Sequence, residues 1–163
     1  RVRPVILPHE RLELLQDHVM LFFTGISRFA SVVAEKQIRN MKNKAGELSA
    51  MHAMVSEAIQ VLTGGADIRK FGELLHKSWC IKRSLADGIS TDEVDAMYNT
   101  AIRAGAIGGK ICGAGGGGFL MLFVEPNRRA DVHRALSRYL CVPIRFESEG
   151  AKVIFYQAEQ PAP

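Results

Sequence analysis

The chain has 163 residues, 47% hydrophobic and 23% charged, which suits one soluble globular domain with a core of its own. The net charge of +4 is modest, and the one basic cluster (Lys36, Arg39, Lys42, Lys44) carries no interleaved aromatics, so it reads as a solvated helix face and not as a nucleic-acid patch. No apolar run reaches the roughly 18 residues of a membrane span and no signal peptide is visible. Cys80, Cys112 and Cys141, odd in number and without a Cys-x-x-Cys, suit reduced thiols in a cytoplasmic protein.

Arg1 to Leu7, which contains Val2, Val5, Ile6 and Leu7 together with Pro4 and is followed by Pro8, predicts a short edge strand. Glu10 to Asp17 reads as a helical turn or loop, and Glu10, Glu13, Asp17 and His18 match no ligand spacing and read as solvated charges. Val19 to Phe23 is a continuous apolar run of strand length and predicts a buried strand. Thr24-Gly25-Ile26-Ser27 turns the chain, with Ser27 a candidate N-cap for a helix over 28–43. Arg28 stands where the helix dipole disfavours a cation, which points either to an anionic partner or to a neighbouring carboxylate.

The periodicity predicts a helix over 47–63 with Leu48, Met51, Val55, Ile59 and Leu62 on one face, His52 beside that stripe as a structural residue, and Gly64-Gly65 as its stop. Asp67 is placed to cap a helix over 68–85, whose apolar face runs through Ile68, Phe71, Leu75 and Trp79, with Trp79 and Lys82 on one side. Ser90 and Glu93 have the spacing of a capping box for a helix over 91–104. Gly105 to Gly118 is the glycine-rich stretch of the chain. A linker would be Ser-rich and polar, whereas here an apolar strand, Phe119 to Val124, starts at the next residue, so the stretch is read as a shaped loop. Pro126-Asn127 opens a helix to about residue 140, and strands are predicted over 142–146 and 152–157. Helices that run together, apart from the strands, imply an α+β layered domain.

Gly113-x-Gly115-x-x-Gly118 satisfies the dinucleotide-binding expression, but that fingerprint needs strand, loop, then helix, and here a helix precedes and a strand follows. The P-loop also fails, because no Lys-Ser/Thr follows the last glycine. Successive N–H groups of such a loop can nevertheless form an anion-binding nest. No Gly-x-Ser-x-Gly elbow occurs, and the five histidines have no metal-site spacing. From its residues the chain reads as half of a site, with a phosphate-friendly loop, a positively charged helix start and no evident base.

Residues 108 to 120, Gly-Gly-Lys-Ile-Cys-Gly-Ala-Gly-Gly-Gly-Gly-Phe-Leu, resemble the third conserved motif of the GHMP sugar and isoprenoid kinases. Leu21-Phe-Phe-Thr-Gly-Ile-Ser-Arg28 is similar to the segment after that family's domain junction. Trp79-x-x-Lys82-Arg83, Gly88-Ile89-Ser90 and Gly105-Ala-Ile-Gly-Gly109 are similar to the D-glycero-D-manno-heptose 7-phosphate kinase branch, near the fucokinase-type enzymes. The resemblance runs over residues 1–157. It implies that 1–163 is one domain, the C-terminal domain of a two-domain ATP-dependent kinase, with a ferredoxin-like antiparallel sheet of about four strands covered by helices. It implies phosphoryl transfer from ATP to a sugar hydroxyl, the anomeric one of heptose 7-phosphate. It places Gly113, Ala114, Gly115, Gly116 and Gly117 at the nucleotide and Thr24, Arg28, Lys82 and Lys110 at the sugar phosphate.

In that family the ATP-cradling loop, the Mg²⁺ ligands and the catalytic acid lie in the N-terminal domain, so no catalytic residue or metal ligand is expected here, and the chain alone is expected to be inactive. The first residue is Arg and not Met, which agrees with a fragment. The implied partners are ATP, the sugar phosphate, the N-terminal domain and a second copy in a homodimer. A galactokinase- or mevalonate-type kinase and a non-catalytic binding or dimerisation module are the alternatives.

Overall fold

The structure, a computed structural model, describes residues 4–27, 30–147 and 150. The strands are β1 (Val19–Phe23), β2 (Ala106–Ile111), β3 (Phe119–Val124) and β4 (Leu140–Val142). They form one antiparallel sheet in the order β2-β3-β1-β4. The helices are α1 (His9–His18), α2 (Ala30–Asn40), α3 (Ala45–Thr63), α4 (Arg69–Arg83), α5 (Asp92–Arg103) and α6 (Arg129–Ala135). Four helices separate β1 from β2, β3 inserts between those two strands, and α6 carries the chain to β4 on the far side of β1. That is the split βαβ arrangement of a ferredoxin-like α+β domain.

The core follows from strand alternation. Met20 and Phe22 of β1 and Leu120, Leu122 and Val124 of β3 enter the main cluster, where Trp79, Met97 and Tyr98 meet them from α4 and α5. The alternate residues Val19 and Phe123 join a smaller cluster with Ile68, Phe71 and Ile107. Gly72 and Gly108 let α4 lie directly on β2: a Cβ on Gly108 would stand 2.1 Å from the Gly72 carbonyl oxygen.

Several sequence expectations are corrected. Residues 4–8 form no strand, residues 1–3 lie outside the described set, and residues 10–17 belong to a full helix, α1. Arg11 of α1 donates to the carbonyls of Val61, Leu62 and Ala66, capping the end of α3, where unpaired carbonyls and the helix dipole both favour a cation. His18 is buried and stacks on Phe123 rather than standing as a solvated charge. Within the glycine stretch, 106–111 is not loop but the edge strand β2. Glycine is poor in strands, and here two of them mark the close approach of other backbone. The final helix ends at Ala135, and in place of the strand expected over 142–146 the chain forms Leu140–Val142, because Leu140, Cys141 and Val142 pair with Phe23, Phe22 and Leu21, while 143–146 form no strand. The strand expected over 152–157 lies outside the described residues.

On α3 the expected apolar face is met in part: Leu48, Met51 and Leu62 pack against the core, but Val55 and Ile59 do not. Val61 is buried, whereas Val55 and Ile59 are 56% and 41% exposed, and His52 is exposed too. The cap of α5 is Thr91, whose hydroxyl accepts from the Val94 N–H, while Ser90 donates to the Asp95 carboxylate. Asp67 does accept from the Arg69 N–H at the start of α4. Lys36, Arg39 and Lys42 are exposed, with Arg39 paired to Glu35. Among the described residues no helix is long and apolar enough to cross a membrane.

Tyr98 gives a solution test of this core. Its ring is buried against Trp79, its hydroxyl lies 2.7 Å from His76 Nδ1, and burial pushes the phenol above its ordinary value. Of the three tyrosines in the sequence, Tyr98 is expected to stay neutral past about pH 10. Its stabilising contribution is complete below that pH and is lost as pH climbs through the raised folded value. Phenolate absorbance followed alongside circular dichroism checks this. Ionisation of every tyrosine near pH 10 in the folded protein would show that the Tyr98 site is not built as described.

Candidate phosphate-binding loop

The turn between β2 and β3 runs from Cys112 to Gly118. Gly113, Gly115, Gly116, Gly117 and Gly118 all have positive φ. At two of them space adds a second requirement. A Cβ on Gly115 would stand 2.6 Å from the Ile89 carbonyl oxygen, and one on Gly117 would stand 2.6 Å from that of Ile26. Both contacts are with backbone, which cannot rotate away.

These approaches anchor the loop. The Gly116 N–H donates to Ile89 O at 2.8 Å, and the Gly118 N–H donates to Ile26 O at 2.9 Å. The Gly118 carbonyl accepts from both the N–H and the hydroxyl of Thr24, each at 2.9 Å. Lys82 Nζ donates to the Gly113 carbonyl at 2.6 Å, and Gln37 Nε2 donates to the Ala114 carbonyl at 2.7 Å. Loop carbonyls and alternate N–H groups are thus tied to the body of the domain. Among the described residues, the N–H groups of Gly113, Ala114, Gly115 and Gly117 meet no acceptor.

The charge beside the loop is positive. Burial first, and then the neighbouring Lys110 charge, pull the Lys82 ammonium below the ordinary lysine value. Neither lysine forms an ion pair among the described residues. Two neighbouring cations without a carboxylate, next to unpaired N–H groups, make a concentrated site for an anion.

The structure therefore brings most of the predicted site residues together. Gly113 to Gly117 form the loop, Lys82 holds it from α4, Lys110 lies near Lys82 on β2, and Thr24 holds its far end. Thr24, expected at the sugar phosphate, is instead buried, with its hydroxyl donating to the Gly118 carbonyl and accepting from the Ile26 N–H at 3.3 Å, so it shapes the loop and offers no free group to a substrate. Arg28 lies outside the described residues. Sequence reasoning missed Gln37 and the carbonyls of Ile26 and Ile89. One glutamine on a polar helix carries no motif, and a carbonyl carries no side-chain signature. Trp79 and Lys82 separate in role, Trp79 lying in the core and Lys82 reaching the loop instead of solvent.

A sequence profile described as GHMP kinases C terminal matches residues 54–140, more than half of the chain. The chain belongs to the GHMP kinases. It is 34% identical over 142 residues to the D-glycero-alpha-D-manno-heptose 7-phosphate kinase of Campylobacter jejuni subsp. jejuni serotype O:2, covering 84% of this chain and 41% of that protein. It is 36% identical over 133 residues to the mevalonate kinase of Pyrococcus furiosus, covering 78% of this chain and 40% of the relative. The crystal structure of Methanococcus jannaschii mevalonate kinase superposes with a TM-score of 0.68 at 21% identity, over 83% of this chain and 42% of the other, and so shares the fold. The chain spans about two fifths of the length of these relatives. Within this GHMP kinase domain, the profile match takes in α4, α5, β2, β3 and the glycine loop between them.

Proposed function

We propose that this domain is the C-terminal half of an ATP-dependent kinase that transfers a phosphoryl group to a sugar hydroxyl, with the anomeric hydroxyl of heptose 7-phosphate as acceptor. The observation that carries the reading is the glycine loop, with its unpaired N–H groups beside the unneutralised Lys82 and Lys110. The choice of acceptor is supported by the likeness to the Campylobacter heptose 7-phosphate kinase.

Phosphoryl transfer asks chiefly for positioning and for charge stabilisation, and both can come from fixed donors. In this reading Gly113, Ala114, Gly115 and Gly117 offer N–H groups to phosphate oxygens, with Gly116 fixing the turn between them. Lys82, which has two further N–H bonds beyond the one held by Gly113, and Lys110 supply charge. Arg28 is assigned to the sugar phosphate by the family resemblance alone, whereas Thr24 acts through the loop, its hydroxyl holding the Gly118 carbonyl. Lys82 and Lys110, expected at the sugar phosphate, stand beside the glycine loop, and in this reading they serve the phosphates of ATP instead. Mg²⁺ is different: among the described residues no group of three His, Cys, Asp or Glu side chains could hold a metal ion. Its ligands, and the catalytic acid, are assigned to the N-terminal domain.

The test is an assay of the full-length protein with ATP and Mg²⁺ against heptose 7-phosphate, galactose and mevalonate. Turnover of heptose 7-phosphate is expected. A mevalonate-type enzyme is the second reading, favoured by the 36% identity to the Pyrococcus furiosus protein, and selective turnover of mevalonate would establish it. Failure with every acceptor, together with no ATP binding, would leave a non-catalytic module. The isolated 163-residue chain is expected to show no turnover; measurable ADP release from it would overturn the placement of the acid and metal elsewhere.

A further inference from the structure

The two side chains that grip the loop carbonyls do more than anchor it. A peptide unit is planar and trans, so the C=O of one residue and the N–H of the next point in opposite directions. Lys82 Nζ, 2.6 Å from the Gly113 oxygen, fixes the plane that carries the Ala114 N–H. Gln37 Nε2, 2.7 Å from the Ala114 oxygen, fixes the plane that carries the Gly115 N–H. Both N–H groups are among those with no acceptor in the described residues. Glycines hold almost any peptide orientation at little cost, so this stretch has no intrinsic preference to do the same work.

We infer that Gln37 of α2 and Lys82 of α4 are positioning residues that aim the Ala114 and Gly115 N–H groups at the phosphates of the nucleotide. The inference rests on the kinase reading above. It makes α2 part of the nucleotide site without touching the nucleotide. Gln37 gives the cleaner case, because it is neutral: its loss reorients a donor without changing the charge of the site.

The decisive variant is Gln37→Met, near in shape and unable to donate. Asn40→Ala is the control, because Asn40 of the same helix donates to the Leu85 carbonyl at 2.7 Å and leaves the loop alone. In the full-length protein with Mg²⁺, calorimetry should show Gln37→Met binding ATP and inorganic tripolyphosphate about tenfold more weakly, while adenosine binding is unchanged. The KM for ATP should rise by a similar factor, with little change in the KM for the sugar. Lys82→Met, which removes the anchor and a charge together, should weaken binding of ATP and tripolyphosphate more than Gln37→Met does, and Lys82→Arg, which keeps both donor and charge, should recover most of the loss. Asn40→Ala should bind ATP as the unaltered protein does. Unchanged ATP binding in Gln37→Met would overturn the inference, as would equal weakening for adenosine and ATP or equal weakening in Asn40→Ala. If the unaltered protein binds no ATP, the kinase reading itself fails, which is a separate result.

Discussion

Gly108→Ala is expected to destabilise the domain by about 3 kcal/mol or more. The added Cβ would lie 2.1 Å from the Gly72 carbonyl oxygen and 2.8 Å from the His76 backbone nitrogen. Both belong to α4, so relief requires the helix to lift from β2. Lifting it opens a gap between Gly72 and the side chains of Phe123 and Ile107, which lie so close that a Cβ on Gly72 would meet carbon at 2.6 Å and 2.8 Å. A packed interior resists such a shift. Gly46→Ala, in the exposed first turn of α3 with nothing within 4 Å, is expected to be neutral or to stabilise by about 0.5–1 kcal/mol, since alanine is the better helix former. Denaturant unfolding of the full-length protein measures both. If Gly108→Ala matches the unaltered protein, α4 does not sit on β2 as closely as described.

Gly115→Ala should cost activity more than stability. Gly115 has φ +116°, and its added Cβ would press on the Ile89 carbonyl oxygen at 2.6 Å and the Ile89 Cα at 2.9 Å. The neighbouring Gly116 N–H bond to that same carbonyl would break or move, carrying the adjacent N–H groups with it. If the proposed kinase reading holds, a displacement of this size in the loop is expected to lower kcat/KM for ATP by about a hundredfold. Gly113→Ala is the matched comparison. Its φ of +73° strains a side chain, but no atom lies within 4 Å of the new Cβ. It is expected to cost about 1–2 kcal/mol of local strain and to keep the Ile89 anchor. Steady-state kinetics of the two variants with a thermal melt of each separate loop misplacement from unfolding. Equal activity in the two would mean that the Ile89 contact does not shape the loop.

Much of the architecture was legible because its signals are local. Val19–Phe23 and Phe119–Val124 appear with the boundaries their apolar runs predict, and α4 and α5 lie within about two residues of the expected spans. The glycine run, the order helix, loop, strand around it, and the likeness to GHMP kinases are all visible in the sequence. The errors lie where a distant partner decides. β2 contains Gly108 and Gly109, poor strand formers in isolation, and is a strand because β3 pairs with it and α4 leaves no room for a side chain. β4 starts early because β1 offers a partner there. Thr91 rather than Ser90 caps α5, because the Ser90 hydroxyl is turned to Asp95, which also binds Arg83.

By itself the sequence determined the α+β class, two central strands, most of the helices and a shaped glycine loop, since each depends on composition or on spacing within a few residues, and the motif's resemblance to the GHMP kinases gave that loop its family. Only the tertiary structure decided which groups hold that loop. Gln37, Lys82, Thr24 and the carbonyls of Ile26 and Ile89 reach it from four separate parts of the chain. Nothing in a linear pattern records a side chain meeting a backbone carbonyl across the fold. The glycines allow the loop many shapes, and its neighbours select one.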